Sequence, residues 1–254
     1  PIRIRDNIQI KPTEYILRVK GAEVGRGELL PDHYLAMNTG GVEEDLIGVP
    51  TKEPAFGLPA LWISPDLRDK AEAMGYTVVD APSVLATHLS EVIRKNGADL
   101  LTRQEVKKLT DMVKESAPAV VEELLASLSL GEIQKVLQNL LEESVHIRDL
   151  KSIVESLAEH GAKIQDPAEL TREVRVSLAP AIVQGIFGPV SDLSVVALDP
   201  ALESLLMQSF GPGSNGALDP SVADFLATEA ARICQQQEAL GLPACLLVPD
   251  RIRP

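Results

Sequence analysis

The sequence predicts a mixed α/β protein, with an α+β arrangement in which small α/β subdomains flank a central helical bundle. Three observations support this fold class: residues 1–31 show strand patterns, residues 32–80 alternate strands with one short helix, and residues 81–180 carry apolar stripes at helical spacing. One-faced helices joined by short links are not stable separately, so they must pack into a bundle. A chain of 254 residues is long enough to bury a core, even with only 3% aromatic residues.

The first strands are predicted from alternating side chains and turn residues. Residues on opposite faces alternate over 15–20, which is typical of a pleated strand, and Gly21, Gly25 and Gly27 allow turns with positive φ. Further strands are predicted from short apolar runs at 34–37, 60–63 and 77–79, with a polar loop at 38–53. Ser64 as N-cap and Gly75 after the last turn predict a short helix between the last two strands.

Helices are predicted where capping signals precede apolar stripes. Thr102 with Glu105 and Ser129 with Glu132 form capping boxes, and Asp166-Pro167 opens a long helix. The apolar stripes are 85, 89, 92 and 93; 133, 136, 137, 140 and 141; and 150, 153, 154 and 157. We therefore expect a run of one-faced helices through the middle of the chain.

After Gly188 the pattern becomes mixed again. Leu193–Leu198 predicts a strand, and Ala244–Val248 predicts a final buried strand. Asp199-Pro200 and Asp219-Pro220 each start a helix, and the glycines of 211–216 indicate a flexible connector between them.

The composition argues against several classes of function. The 24 Lys and Arg residues against 37 Asp and Glu residues give a net charge of −13, which disfavours nucleic acid and a basic membrane-binding surface. Cys234 and Cys245 are too few for a disulfide framework, so we expect a reducing compartment and inert packing of both thiols. No apolar run reaches the roughly 18 residues of a membrane span. The chain begins at Pro1 without a methionine and stops at Pro254, and we expect a piece of a longer protein.

The residue patterns give no support for catalysis, a cofactor or a metal. The glycines of 25–27 lack the Lys-Ser/Thr ending and the following helix of a phosphate loop, so a hairpin turn is the better interpretation. The histidines at 33, 88, 146 and 160 are not spaced for metal ligation, and His88 and His160 are predicted to be structural. We therefore predict that the protein is not an enzyme.

The segment 50–63, PTKEPAFGLPALWI, holds the only tryptophan and one of four phenylalanines. Trp62 lies in a predicted strand and is expected in the core. Phe56 lies in a turn flanked by proline and glycine, where large apolar groups often bind partners. The sequence pattern alone leaves two alternatives for Phe56, a core plug and a contact residue.

Several long ungapped segments resemble the flagellar type III export-gate (FlhA) family, in its cytoplasmic domain. These segments are PIRIRDN (1–7), KGAEVGRGELLP (20–31), PTKEPAFGLPALWI (50–63), GYTVVDAPSVLATHL (75–89) and KVLQNLLEESVHIRDLKSIVESLAEH (135–160). They occur in the family's order, and the resemblance extends across the whole chain. The virulence-type secretion homologues share the architecture, but EPAFGLPALW and LATHL resemble the flagellar members.

The resemblance implies a non-enzymatic docking platform on the cytoplasmic side of the bacterial inner membrane. The parent protein would be an integral membrane protein, and its cytoplasmic part a nonameric ring of four-subdomain protomers. Here the subdomains would be 1–31 with 81–100, an insertion at 32–80, a helical part at 101–180, and 181–254, with the first and last incomplete. The implied partners are flagellar export chaperones with their substrates, other export-apparatus proteins and further copies of itself, and the implied role includes switching of substrate specificity.

The resemblance also implies a chaperone site, a hydrophobic dimple between the first two subdomains. Phe56 would be its central aromatic residue with Leu58 beside it, and Glu53 would orient the partner through a charge or hydrogen bond at the rim. The remaining implied site residues are the wall positions Val79, Val84 and Thr87 and the loop positions Met37 and Thr39. An apolar dimple edged by a carboxylate suits the insertion of a partner helix.

Three alternatives remain open from the sequence. One is the equivalent gate of a virulence secretion system, which would not bind flagellar filament chaperones. Another is a small-molecule enzyme that uses the cleft between the first two subdomains, for which only Glu53 and His88 are titratable candidates. The last is a purely structural scaffold with Phe56 buried.

Overall fold

The computed structural model describes residues 2–40, 42, 46–189, 192–209, 218–249 and 252–253. The chain divides into two compact units, Pro1–Ser177 and Leu178–Pro254. Short strands and helices occur in both units, and the predicted mixed α/β fold class is confirmed. The division into four subdomains stays a prediction, and the predicted connector at 211–216 lies outside the described residues.

The first unit begins with an antiparallel hairpin of β1 (Glu14–Val19) and β2 (Ala22–Glu28). The turn predicted at Gly21 is confirmed, whereas the turn predicted at 25–27 is wrong. The chain reverses at Lys20 and Gly21, which have φ angles of 50° and 91°, whereas Gly25 and Gly27 lie inside β2. Residues 2–13, also predicted as strand, form none.

The glycines of β2 are explained by side chains that cross the strand. A Cβ on Gly25 would lie 2.8 Å from Nε2 of His88, and a Cβ on Gly27 would lie 2.5 Å from the hydroxyl oxygen of Tyr15. Neither separation is possible for a real Cβ. The two glycines therefore allow close approach to the strand, which is a different requirement from the turn that the sequence suggested.

A four-stranded antiparallel sheet follows the hairpin. It consists of β3 (Tyr34–Met37), β4 (Val49–Lys52), β5 (Pro59–Ile63) and β6 (Thr77–Asp80), in the spatial order β4-β5-β3-β6. Strand β4 lies within the segment 38–53 that the sequence predicted as a loop. It contains Pro50, which has no N–H to donate, and an edge position is where a sheet tolerates such a residue.

Both faces of this sheet are buried, in agreement with a side-chain period of two. On one face Leu35 and Trp62 pack with Val84 of the helix α2 (Ala81–Lys95). On the other face Ala36 and Ile63 pack with residues including Ala71 of the short helix α1 (Arg68–Ala73). The expectation that Trp62 belongs to the core is confirmed, with 3% of the residue exposed.

The remaining helices of the first unit form its second part: α3 (Gly97–Leu100), α4 (Arg103–Ser116), α5 (Pro118–Ser127), α6 (Leu130–Glu142), α7 (Leu150–Gly161) and α8 (Pro167–Ser177). Thr102 caps α4 by accepting from the Glu105 N–H, and Ser129 with Glu132 forms a complete capping box. The predicted stripes of α6 and α7 are buried at 133, 136, 137, 140, 153, 154 and 157. Local capping and periodicity therefore located these helices correctly.

Two helix predictions need correction. The buried face of α2 contains Val84, His88 and Val92, whereas Ile93 of the predicted stripe is 43% exposed. The long helix predicted from Asp166-Pro167 ends at Ser177, and α9 (Ala179–Phe187) begins after Leu178 with Pro180 in its first turn. A proline there has no N–H for a continuous helix, which explains the break.

The second unit contains α9, β7 (Val196–Ala197), α10 (Pro200–Ser209), α11 (Pro220–Ala239) and β8 (Leu246–Leu247), with β7 and β8 paired in parallel. The helix starts at Pro200 and Pro220 agree with the sequence. Both predicted strands are shorter than expected, and the final strand is exposed, not buried. Cys234 is exposed on α11, so its predicted packing was wrong, and both cysteines are free.

Candidate functional site

The turn between β4 and β5 presents the segment that the sequence singled out. The Glu53 N–H donates to the Leu58 carbonyl at 2.8 Å, and the Gly57 N–H donates to the Glu53 carbonyl at 2.9 Å. Gly57 has a φ of 73°, a conformation that favours glycine. Two backbone bonds thus close the turn from Glu53 to Leu58 upon itself.

The Glu53 side chain also belongs to this turn. One carboxylate oxygen accepts the Ala55 N–H at 2.9 Å, and the other accepts the Phe56 N–H at 2.6 Å. Only 4% of Glu53 is exposed. The sequence predicted a group at the rim that orients the partner, whereas the structure buries this carboxylate against the backbone of its own turn. The role of Glu53 in binding stays a prediction.

Phe56 is exposed at the tip of this turn. Phe56 keeps 61% of its surface accessible, and Leu58 keeps 39%, whereas Ala55, which directly precedes Phe56, is buried. Of the two alternatives that the sequence left open, the structure selects the exposed one, and the scaffold interpretation with Phe56 buried is wrong.

An open cleft of about 380 Å³ lies between Phe56 and the outward face of α2. Its other lining residues share that helix face: Ala86, Thr87, Ser90, Glu91 and Arg94. Thr87 was predicted from the family resemblance, whereas the other four were not. The spacing of 87, 90, 91 and 94 is that of one helix face, so a search for an exposed face of small and polar residues could have found them.

The other predicted site residues do not line this cleft. Val84 is 2% exposed and belongs to the core beneath it, where Met37 and Val79 pack as partly buried residues. Thr39 is exposed beyond the end of β3. The structure therefore brings Phe56 and Thr87 to one cleft, and it places the three apolar residues in the supporting core.

The far end of the cleft is charged. Glu91 accepts from the Arg94 guanidinium at 2.7 Å and lies 3.4 Å from the Lys95 ammonium. These hydrogen bonds and charges, those of Arg94 above all, hold the pKa of Glu91 at about 2. The Arg94 side chain remains 62% exposed, so it can still donate hydrogen bonds to a molecule in the cleft.

A partly buried contact joins α2 to the first hairpin. The Tyr15 hydroxyl lies 2.7 Å from Nδ1 of His88, and the rings meet edge to face. Burial raises the pKa of Tyr15 to about 12, and the Glu53 carboxylate adds to this rise. Burial lowers the pKa of His88, which the nearby Glu53 charge opposes and Lys95 reinforces. Both rings are therefore neutral at pH 7, and the predicted structural role of His88 agrees with this geometry.

Among the described residues, no group of three or more His, Cys, Asp or Glu side chains is arranged to hold a metal ion. Among the helices of that same part of the chain, none has the length and apolar character needed to span a bilayer.

The class of protein follows from comparison with known families and structures. The model of the FHIPEP family matches residues 1–254, and the chain belongs to the FHIPEP family. The flagellar biosynthesis protein FlhA of Proteus mirabilis is 44% identical over 253 residues, which are 99% of this chain and 36% of that protein. The chain thus spans little more than a third of the length of this curated relative. The predicted family resemblance is confirmed.

Solved structures show the same fold. The structure of the Chlamydia pneumoniae CdsV protein has a TM-score of 0.81 at 27% identity, and the match covers 98% of this chain and 73% of the CdsV chain. The structure of the CdsV and CdsO complex has a TM-score of 0.74 at 27% identity, and that match covers 89% of this chain and 66% of the matched chain. The nonameric EscV cytosolic domain from the type III secretion system has a TM-score of 0.61 at 21% identity, over 91% of this chain and 76% of its own. The named relatives are components of flagellar biosynthesis and type III secretion, and none belongs to a known enzyme family.

Proposed function

We propose that this chain is the cytoplasmic docking platform of a flagellar type III export gate, at which export chaperones deliver their substrates. The observation that carries the proposal is the exposure of Phe56 beside the cleft on α2. An exposed aromatic side chain at the tip of a hydrogen-bonded turn is a typical anchor for a protein partner. Membership in a family whose relatives include flagellar biosynthesis proteins supports a partner from flagellar export.

The cleft suits a helix laid along α2. The small side chains of Ala86 and Ser90 leave room for a partner helix to approach, and the Phe56 ring provides an apolar wall. One apolar side chain of the partner would pack against Phe56, while a polar group nearby would accept from Arg94. Such a contact covers little surface, and a weak, reversible complex fits repeated delivery of substrates.

Several further properties of the parent protein belong to the same proposal. We place it in the bacterial inner membrane with this region on the cytoplasmic side, assembled as a ring of copies as the EscV domain is. Contacts with other export-apparatus proteins are supported by the CdsV complex with CdsO. Exchange of one chaperone for another at the Phe56 cleft would contribute to the switch of substrate specificity.

The test is direct binding of a purified flagellin–chaperone complex to this chain. We expect a Kd on the order of micromolar, which Phe56→Ala weakens and Phe225→Ala does not. Phe225 is a matched control, since it is 59% exposed on α11 and does not line the cleft. Binding of a virulence-type chaperone with no binding of the flagellar complex would favour the virulence gate instead.

A further inference from the structure

We infer that Glu53 is a positioning residue whose buried carboxylate fixes the turn that holds Phe56 at the cleft. The consequence for binding rests on the proposed function, whereas the effect on the turn does not. Glu53 itself would make no contact with the partner.

The burial of Glu53 excludes a direct contact without a rearrangement of the turn. The residue is 4% exposed, whereas Phe56, three positions later, is 61% exposed. A partner that packs on Phe56 therefore meets the ring and not the carboxylate.

The hydrogen bonds of Glu53 require a carboxylate. Both oxygens are used, one on the Ala55 N–H and the other on the Phe56 N–H. A carboxylate has two acceptor oxygens and strengthens both bonds by its charge, whereas the amide of glutamine has one acceptor oxygen and a donor NH₂ that would face an N–H. Glu53→Gln should therefore release at least one of the two amides.

The turn depends on these bonds because its tip receives little other support. The two backbone bonds begin or end at Glu53 itself, and Gly57 adds freedom because it has no side chain. The Ala55 and Phe56 amides, between those points, each donate to the carboxylate. When the carboxylate bonds are lost, the exposed phenyl ring gains many alternative positions. A partner must then order the ring again, and this loss of conformational entropy weakens binding.

The Glu53 carboxylate also lies near the contact that anchors α2. Its charge contributes to the raised pKa of Tyr15 and acts on His88. These effects place the carboxylate beside the hairpin–helix junction and support a role in setting the turn against α2.

Hydrogen exchange of single amides, followed by NMR, tests the turn directly. Glu53→Gln should speed exchange at Ala55 and Phe56 at least about tenfold, and because the lost bonds stabilise the native state, the urea midpoint of unfolding should fall modestly. Glu72→Gln is the matched control, since Glu72 is an exposed carboxylate on α1 paired with Arg68, and it should leave both amides unchanged. Glu53→Asp keeps two acceptor oxygens and should retain most of the protection. Unchanged exchange of both amides in Glu53→Gln would overturn the inference.

A double-mutant cycle with the flagellin–chaperone complex tests the action through Phe56. Glu53→Gln should weaken binding about tenfold in the wild-type background, less than about twofold in Phe56→Ala, and equally at 50 and 300 mM salt. Equal losses in both backgrounds, or a loss that salt removes, would show direct contact and overturn positioning. If the wild-type chain does not bind the complex, the proposed function fails, and the amide measurement decides the inference alone.

Discussion

Replacing Phe56 by alanine removes the one large apolar side chain that lines the cleft, and the structure sets the size of the effect. A phenylalanine has roughly 200 Å² of surface to bury, and its 61% exposure leaves about 120 Å² available to a partner. At about 25 cal/mol per Å², complete coverage contributes about 3 kcal/mol. Because coverage at an open cleft is incomplete, we expect a loss of at least about 1–2 kcal/mol in binding free energy, or about 5- to 30-fold in Kd.

The same substitution should change stability little. Less than half of the Phe56 surface is buried, so the transfer term for folding is at most about 2 kcal/mol, and compact unfolded states reduce it further. Truncation of the buried Trp62, by contrast, should cost about 3–5 kcal/mol. Isothermal calorimetry with the flagellin–chaperone complex and urea unfolding of each variant measure the two quantities. An unchanged Kd, or a stability loss as large as that of Trp62→Ala, would refute the reasoning.

Three further predictions concern the support of the site and the helical part. Gly25→Ala should destabilise the first unit by about 1–3 kcal/mol in urea unfolding, because its Cβ would lie 2.8 Å from His88 Nε2; a neutral effect would show that the imidazole can move away freely. Because the pKa of His88 is lowered in the folded chain, the native state binds fewer protons than the unfolded state. The stability that the neutral His88 contributes is therefore complete above about pH 6.5 and is lost as the pH falls through the native pKa. Wild type should therefore lose more stability than His88→Gln between pH 7 and pH 5, and parallel curves would contradict this. Arg175→Ala should lower the free energy of unfolding by about 2–3 kcal/mol, since the buried guanidinium donates to Glu143 at 2.9 Å. The thermal midpoint should then fall by several degrees, and a midpoint within about 1 °C of wild type would show that the pair is dispensable.

The local signals in the sequence located most of the helices. Thr102 and Ser129 cap their helices as predicted, and the apolar positions of α6 and α7 are buried. Capping and helical periodicity involve residues within about four positions of one another, so one sequence contains the whole interaction. The family resemblance added the identity of Phe56 and Thr87 as site residues, and the structure brings those two together in one cleft. Their role in binding a chaperone stays a prediction.

Contacts between distant segments decided what the sequence left open or gave wrongly. Gly25 faces His88, more than 60 positions later, so the pattern suggested a turn where the structure needs a close approach. Whether Phe56 was exposed depended on how its turn lies relative to α2, about thirty positions away. Glu53 carries a charge that favours the surface, yet it is buried because its carboxylate satisfies two N–H groups of its own turn. The sequence by itself determined the fold class, most of the helix starts and the family, because these depend on short-range patterns and on long matched segments. Only the tertiary structure decided burial and the shape of the cleft, because both depend on which distant side chains fill the space around a residue.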